Sequence, residues 1–417
     1  MPTSPALANH CHAQGYPSGS HEHRMVLVAL FAAGLATFEL LYSTQALLPE
    51  LSRDFEVSTQ QSTLTLSLST LGLAFALLVA GPVSEVVGRT RMIKLSVAAS
   101  SVIGLACAIA PTWDALLALR LLEGVALAGL PAVATAYLRE ELHPSTHARA
   151  AGLYVGGTGI GGMLGRLVTG GVAELVGWRM AMAAAAVVGL TCALVVHLSL
   201  PDSQHFESAP RGRGVVRTMA RRALSDPVLL ALYGIGACGV GALISVFNTI
   251  GFRLAAPQFA LGIGAASLVF LVYPLGTVGA AVAGVMADRL GRRAVLPIGS
   301  VIALAGVALT ASAYLPAIVL GVALLTIGFF VTHGVASGWV PARAHAGGVA
   351  TAQAASFYLV SYYFGASVFG TLSGIAWTHS GWAGVALLSG GLITVTGLIG
   401  LMLQRMEALG LPAASGR

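Results

Sequence analysis

Apolar positions in this chain come in long blocks separated by short polar turns. The blocks fall near residues 26–49, 61–80, 92–111, 115–137, 150–172 and 180–200, and again near 228–250, 264–283, 294–312, 316–337, 350–373 and 383–404. Strands alternate sides and seldom exceed ten residues, whereas a helix needs roughly 20 apolar residues to cross the hydrocarbon of a bilayer. The pattern therefore predicts an all-α integral membrane protein with twelve transmembrane helices in two groups of six. The longest polar stretch inside the chain, residues 203–226, divides the groups. The expected organisation is a disordered tail over 1–24, a six-helix bundle over 25–200, an inter-bundle loop over 201–226, a second bundle over 227–404 and a tail over 405–417. The first apolar block is too long for the core of a signal peptide, so it is expected to remain as the first span.

Composition agrees with a membrane location. Of 417 residues 56% are hydrophobic and only 9% charged, against about 25% charged in a typical soluble domain. The net charge of +6 does not point to nucleic acid, because the basic residues sit in short loops. Of the 22 arginines and lysines, 17 fall on the side of the termini and three, Arg53, Arg179 and Arg253, on the opposite side. By the positive-inside rule both termini face the cytoplasm, which for a bacterial protein means the inner membrane.

The four cysteines, Cys11, Cys107, Cys192 and Cys238, have no metal-ligand or disulfide spacing. His10, His12, His21 and His23 lie in a polar N-terminal stretch that reads as a tail rather than a metal site. No nucleotide-binding loop and no catalytic constellation is present, so neither an enzyme nor a cofactor is expected.

The halves repeat. Residues 81–91 read GPVSEVVGRTR and residues 284–294 read GVMADRLGRRA, 203 positions further on. Gly81, Glu85, Gly88, Arg89 and Arg91 in the first loop thus parallel Gly284, Asp288, Gly291, Arg292 and Arg293 in the second. These loops resemble the signature of the major facilitator superfamily, with Glu85 where the pattern has Asp. The resemblance implies gating loops that lock the outward-facing state through their acids and arginines. In the fourth block, Arg120-Leu-Leu-Glu123-Gly124 resembles the family's Arg-x-x-Gln-Gly motif, which implies a part in proton transfer. In the fifth, residues 157–162 (GTGIGG) are similar to the glycine-rich end of the antiporter motif, with Thr158 in place of proline and with Gly157, Gly161 and Gly162 expected to pack helices closely. With residues 40–51 (LLYSTQALLPEL), the chain looks most like the bacterial drug-exporter branch and its sugar-efflux relatives.

Four charged residues lie well inside the blocks: Glu39, Arg120, Glu123 and Arg166. At a rise of about 1.5 Å per residue Glu39, Glu123 and Arg166 sit about 9–13 Å from the ends of their helices away from the loops, in one slab of the membrane. Ionised groups at that depth are costly and are commonly functional. We expect the two acids and two arginines to meet, with Glu39, which has no basic neighbour at i±3 or i±4, as the proton carrier. The competing reading is a purely structural cluster. The second half offers no acid inside a block; its cavity candidates are Asn248, Tyr358 and Tyr362, with Tyr42 contributed by the first block.

The expectation is a monomeric secondary transporter that exports a small organic molecule in exchange for protons by alternating access. The lipid bilayer, the substrate and protons are its partners. The alternatives are a proton-coupled uptake symporter and, more remotely, a transporter-like sensor that binds without transport.

Overall fold

The computed structural model describes residues 15–204, 218 and 220–406. The described residues are helical almost throughout; they form no strand, only an isolated bridge between Tyr16 and Leu142. In chain order the helices are α1 (His21–Tyr42), α2 (Leu48–Asp54), α3 (Thr59–Val87), α4 (Arg89–Ala108), α5 (Trp113–Leu127), α6 (Gly129–Glu141), α7 (His147–Val176) and α8 (Trp178–Ser199). The second half follows with α9 (Pro227–Ala255), α10 (Ile263–Ser267), α11 (Tyr273–Leu290), α12 (Arg292–Thr310), α13 (Leu315–Ala346) and α14 (Thr351–Arg405).

Ten helical stretches among the described residues are long and apolar enough to cross a membrane. Two features separate that number from the expected twelve. Helix α7, of 30 residues, falls outside the ten because it is glycine-rich and carries Arg149, Arg166 and Glu174. Helix α14 counts once although Gly381, at φ 56° and ψ −144°, interrupts it. Gly177, at φ 84°, separates α7 from α8 at the matching place in the first half, and a tryptophan follows each glycine, Trp178 and Trp382. A left-handed φ costs glycine least, so the repeat keeps it where the chain reverses.

Other breaks have local causes. The fourth block divides at Ala128 into α5 and α6 because Pro131 cannot donate to the carbonyl four residues before it. The eighth block begins as a short α-turn and a 3₁₀ segment, Leu268–Val272, before Pro274 in the first turn of α11. The first block ends at Tyr42, and α2 restarts after a turn with Pro49 near its start. At the other end α1 begins at His21, capped by Ser20 Oγ, so His21 and His23 are helical. His10, His12 and most of the inter-half loop lie outside the described residues.

The loops recognised in the sequence join α3 to α4 and α11 to α12. Gly88 and Gly291 occupy equivalent corners, at φ 96° and 84°. Each half has apolar packing of its own, around Leu30 and Tyr137 in the first and Tyr233 and Leu296 in the second. A further core, containing Leu40, Tyr42 and Leu66 from the first half with Phe247, Tyr273 and Tyr362 from the second, joins them.

Candidate functional site

Arg120 is wholly buried on α5 and pairs through Nη1 with Glu123, one turn along the same helix. The rest of its guanidinium is spent on backbone. Nη2 donates to Leu41 O (2.9 Å), Nη1 to Leu40 O (3.2 Å) and Nε to Thr65 O (3.0 Å). Leu40 and Leu41 belong to the last turn of α1, where carbonyls lack intrahelical partners and a positive charge complements the helix dipole. Arg120 is thus both half of an ion pair and the cap that holds the end of α1. Ser69 Oγ donates to Arg120 O (2.8 Å), and Gly124 faces the backbone at Ser69, where a larger residue would force α3 and α5 apart.

Glu39 is buried completely, and neither carboxyl oxygen has a hydrogen-bond partner. Its electrostatic neighbours are Glu123, Arg120 and Cys192 on α8. The expected meeting of Glu39 with Arg120 and Glu123 therefore occurs, but inside the first half. The face of α1 turned to the other half is the one that carries Phe38 and Tyr42.

Arg166 does not join this cluster. Its guanidinium lies over the ring of Tyr42 at 4.1 Å, with Tyr273 at 5.0 Å and Phe247 and Phe270 at 5.2 Å. Nε donates to Gln45 Oε1 and Nη1 to Gly162 O, both at 2.5 Å. The tertiary arrangement rotates α7 so that its glycines meet the α1 backbone and Arg166 reaches only the Tyr42 end of α1: Gly157, Gly161 and Gly165 face the backbone at Phe31, Leu35 and Glu39. Gly162, expected in the same packing role, instead opens the space beside Arg166, Tyr42 and Tyr273.

Gln45 carries the chain of contacts across the molecule, donating from Nε2 to Asn248 Oδ1 at 2.6 Å. Sequence reasoning passed over Gln45; the signal was an uncharged amide in an otherwise apolar block. Thr371 and Ser67 make a second inter-half link, at 2.9 Å. Tyr362 lies in the shared core, and Tyr358 donates to or accepts from His333 Nδ1 at 2.8 Å. Tyr358 is buried within its own half, whereas Tyr362 has Tyr42 of the first half as a neighbour, and His333 lies stacked on Phe329.

Accessibility on the two sides of this layer defines its place. Along α1 the central face is 53% exposed at Val28, half-buried at Phe31, Leu35 and Phe38, and closed at Tyr42. Along α9, Leu230 is 46% exposed, Gly234 half-buried and every residue from Gly239 to Ile250 buried. Burial thus increases along both helices towards Gln45 and Asn248. From the opposite end a cavity of about 790 Å³ reaches inward to Ala46, lined among others by Glu50, Arg53, Glu174 and Phe252. Burial holds the Glu50 carboxyl above the usual carboxylate range, against the opposing effect of its bond from Trp178 N. The layer around Gln45, Asn248 and Arg166 lies beyond the inner end of this cavity.

A sequence model of the Major Facilitator Superfamily matches residues 26–279. The chain belongs to the major facilitator superfamily. It is 39% identical to an uncharacterised MFS-type transporter, YybF, of Bacillus subtilis (strain 168), over 93% of this chain and 94% of that one. It is 37% identical to the inner membrane transport protein YnfM of Escherichia coli (strain K12), over 93% and 92% of the two chains. A mutant of the nucleoside transporter NupG superposes with a TM-score of 0.72 at 18% identity, covering 91% of this chain and 99% of that one, which establishes the fold. As a superfamily member the chain is a multi-pass membrane transporter.

Among the described residues the ion pairs at the gating loops lie within each half. Asp288 is exposed and Glu85 half-buried, and among the described residues neither forms an ion pair. Arg89 turns to its own half, pairing with Glu140 at 2.6 Å and donating to Ser84 Oγ at 3.1 Å. Arg343 likewise pairs with Asp226 at 2.9 Å, within the second half. Among the described residues no group of three or more His, Cys, Asp or Glu side chains is placed to hold a metal.

Proposed function

We propose that the chain is a proton-coupled exporter of a small organic molecule, of the drug-exporter or sugar-efflux branch, that works by alternating access. The observation that carries the reading is Glu39: a buried carboxyl without a partner, beside an ion pair that holds the end of α1. Such a group takes up and releases a proton without breaking a contact of its own. Its charge acts on Arg120, Arg120 holds Leu40 O and Leu41 O, and the residues that follow, Tyr42 to Gln45, form part of the central layer. Loss of the proton from Glu39 draws Arg120 away from those carbonyls and loosens α1 where it closes the path.

The reading places twelve crossings in two six-helix bundles, with termini and gating loops in the cytoplasm of a bacterial inner membrane. Support comes from the arginine and lysine distribution and from the inner-membrane description of the relative YnfM. Glu85, Asp288 and their arginines would then clasp the cytoplasmic side when it closes.

Proton-coupled uptake is the second reading. It is favoured by Thr158, which leaves α7 unbroken where the antiporter motif has proline: its Oγ1 returns a hydrogen bond to Val155 O at 2.7 Å. Everted membrane vesicles with an imposed pH gradient separate the two. Accumulation in response to an acidic interior supports export. Transport only in right-side-out vesicles, driven by an acidic exterior, supports uptake. Binding without movement in either orientation leaves a sensor.

A further inference from the structure

The chain buries two arginines completely in its membrane interior, and their surroundings differ. Arg120 has a carboxylate and three backbone carbonyls. Arg166 has one side-chain amide oxygen, one backbone carbonyl and four aromatic rings, with Tyr273 also a polar neighbour, and its Nη2 makes no hydrogen bond of good geometry. Among the described residues it forms no ion pair, and its electrostatic neighbours are tyrosines. A guanidinium at membrane depth without a counter-charge is a costly arrangement to keep. Packing alone does not account for it, since an apolar side chain would fill the same space between the rings at lower cost.

We propose that Arg166 is the anchor for the substrate and that the substrate is a small organic carboxylate with a flat, aromatic body. The proposal rests on the transporter reading above and names the substrate class of that central layer. The guanidinium offers a carboxylate two parallel donors if Nη2 is joined by Nε, which Gln45 Oε1 now occupies. The rings of Tyr42, Tyr273, Phe247 and Phe270 suit a planar apolar group beside the charge. A carboxylate fits better than a phosphate ester, because one arginine neutralises one charge and a dianion would bring a second, unpaired, into the same apolar box.

The same geometry ties binding to opening. An anion that takes Nε releases Gln45, and Gln45 is the residue that reaches Asn248 in the other half. The substrate thereby loosens an inter-half contact at the moment it acquires its own.

The test uses the full-length protein in nanodiscs and three carboxylates, benzoate, phenylacetate and cinnamate, each beside its carboxamide. Thermal unfolding titrated with each compound is expected to show at least one carboxylate binding ten-fold or more tightly than its amide. Arg166→Gln should remove that preference and Arg166→Lys keep part of it, at unchanged monodispersity. If no carboxylate outbinds its amide, the proposal is overturned without recourse to a mutant. A preference that survives in Arg166→Gln overturns it equally. The same compounds and the cation tetraphenylphosphonium are then followed into proteoliposomes. Movement of the cation with no carboxylate moved or preferred overturns the anion anchor and leaves the transporter reading standing. Arg166-dependent carboxylate binding with nothing moved in either orientation supports the anchor and counts against transport.

Discussion

Gln45 and Asn248 stand 203 residues apart, the same offset that separates the two gating loops, and their side-chain amides meet across the halves at 2.6 Å. Equivalent positions of a two-fold repeat approach each other only near the pseudo-axis, so this contact marks the centre of the molecule. The cavity from one end stops beside it, at Ala46. A single neutral hydrogen bond is worth about 1 kcal/mol, enough to bias a two-state equilibrium about five-fold without locking it.

That value predicts the effect of removing the bond. In a cysteine-free background, spin labels at Val86 and Leu290, exposed near the two gating loops, report the separation of the loop ends. Asn248→Ala is expected to shift the distance populations about five-fold towards the shorter separation, because the loop ends close as the opposite side opens. Unchanged distance distributions would show that Gln45 and Asn248 do not contribute to the balance.

Arg120→Ala strips Glu123 of its ion-pair partner and Leu41 O of its side-chain donor, while Leu40 O keeps Ser43. Breaking a buried pair from one side costs about 3–5 kcal/mol, so low membrane abundance is expected. The double change Arg120→Ala with Glu123→Ala restores neutrality but not the cap on α1. Abundance should recover in part, while substrate movement in response to a pH gradient should not. Full recovery of both would reduce the pair to a structural element.

Glu39→Gln removes the titratable group and disturbs nothing that the carboxyl oxygens hold, since they hold nothing. The expected protein is as abundant as the wild type and still exchanges substrate down its gradient, but gains no accumulation from an imposed pH gradient. Wild-type accumulation by Glu39→Gln at equal expression would eliminate Glu39 as the carrier.

The gating loops make a graded prediction. If Asp288 and Glu85 clasp the loop side only when it is closed, Asp288→Asn and Glu85→Gln should slow transport several-fold without changing thermal stability in the present state, in which neither acid has an ion pair among the described residues. Asp288→Asn should slow it more, because Glu85 departs from the family pattern. A large loss of stability from either change would mean that the acids support the fold instead.

The fold and its repeat were legible along the chain, because length and apolarity decide whether a helix crosses a membrane and the loop signature lies in contiguous residues. Four of the fully buried charges were legible for the same reason, since ionisable residues in apolar blocks stand out in one dimension; Glu141, at the end of α6 beyond the fourth block, was not. The grouping of the four was not legible. Glu39, Arg120 and Glu123 meet as expected, yet Arg166, at similar depth, is carried into the central layer by the rotation of α7, which is set by Gly157, Gly161 and Gly165 against α1. Gln45 drew no notice because a neutral amide leaves a faint trace in a hydropathy pattern, and its importance lies wholly in a partner 203 residues away. Sequence by itself determined which residues enter the membrane and that the chain is built twice; tertiary structure decided which of them face one another, because that depends on helix rotation and close packing, which the order of residues along a single helix does not contain.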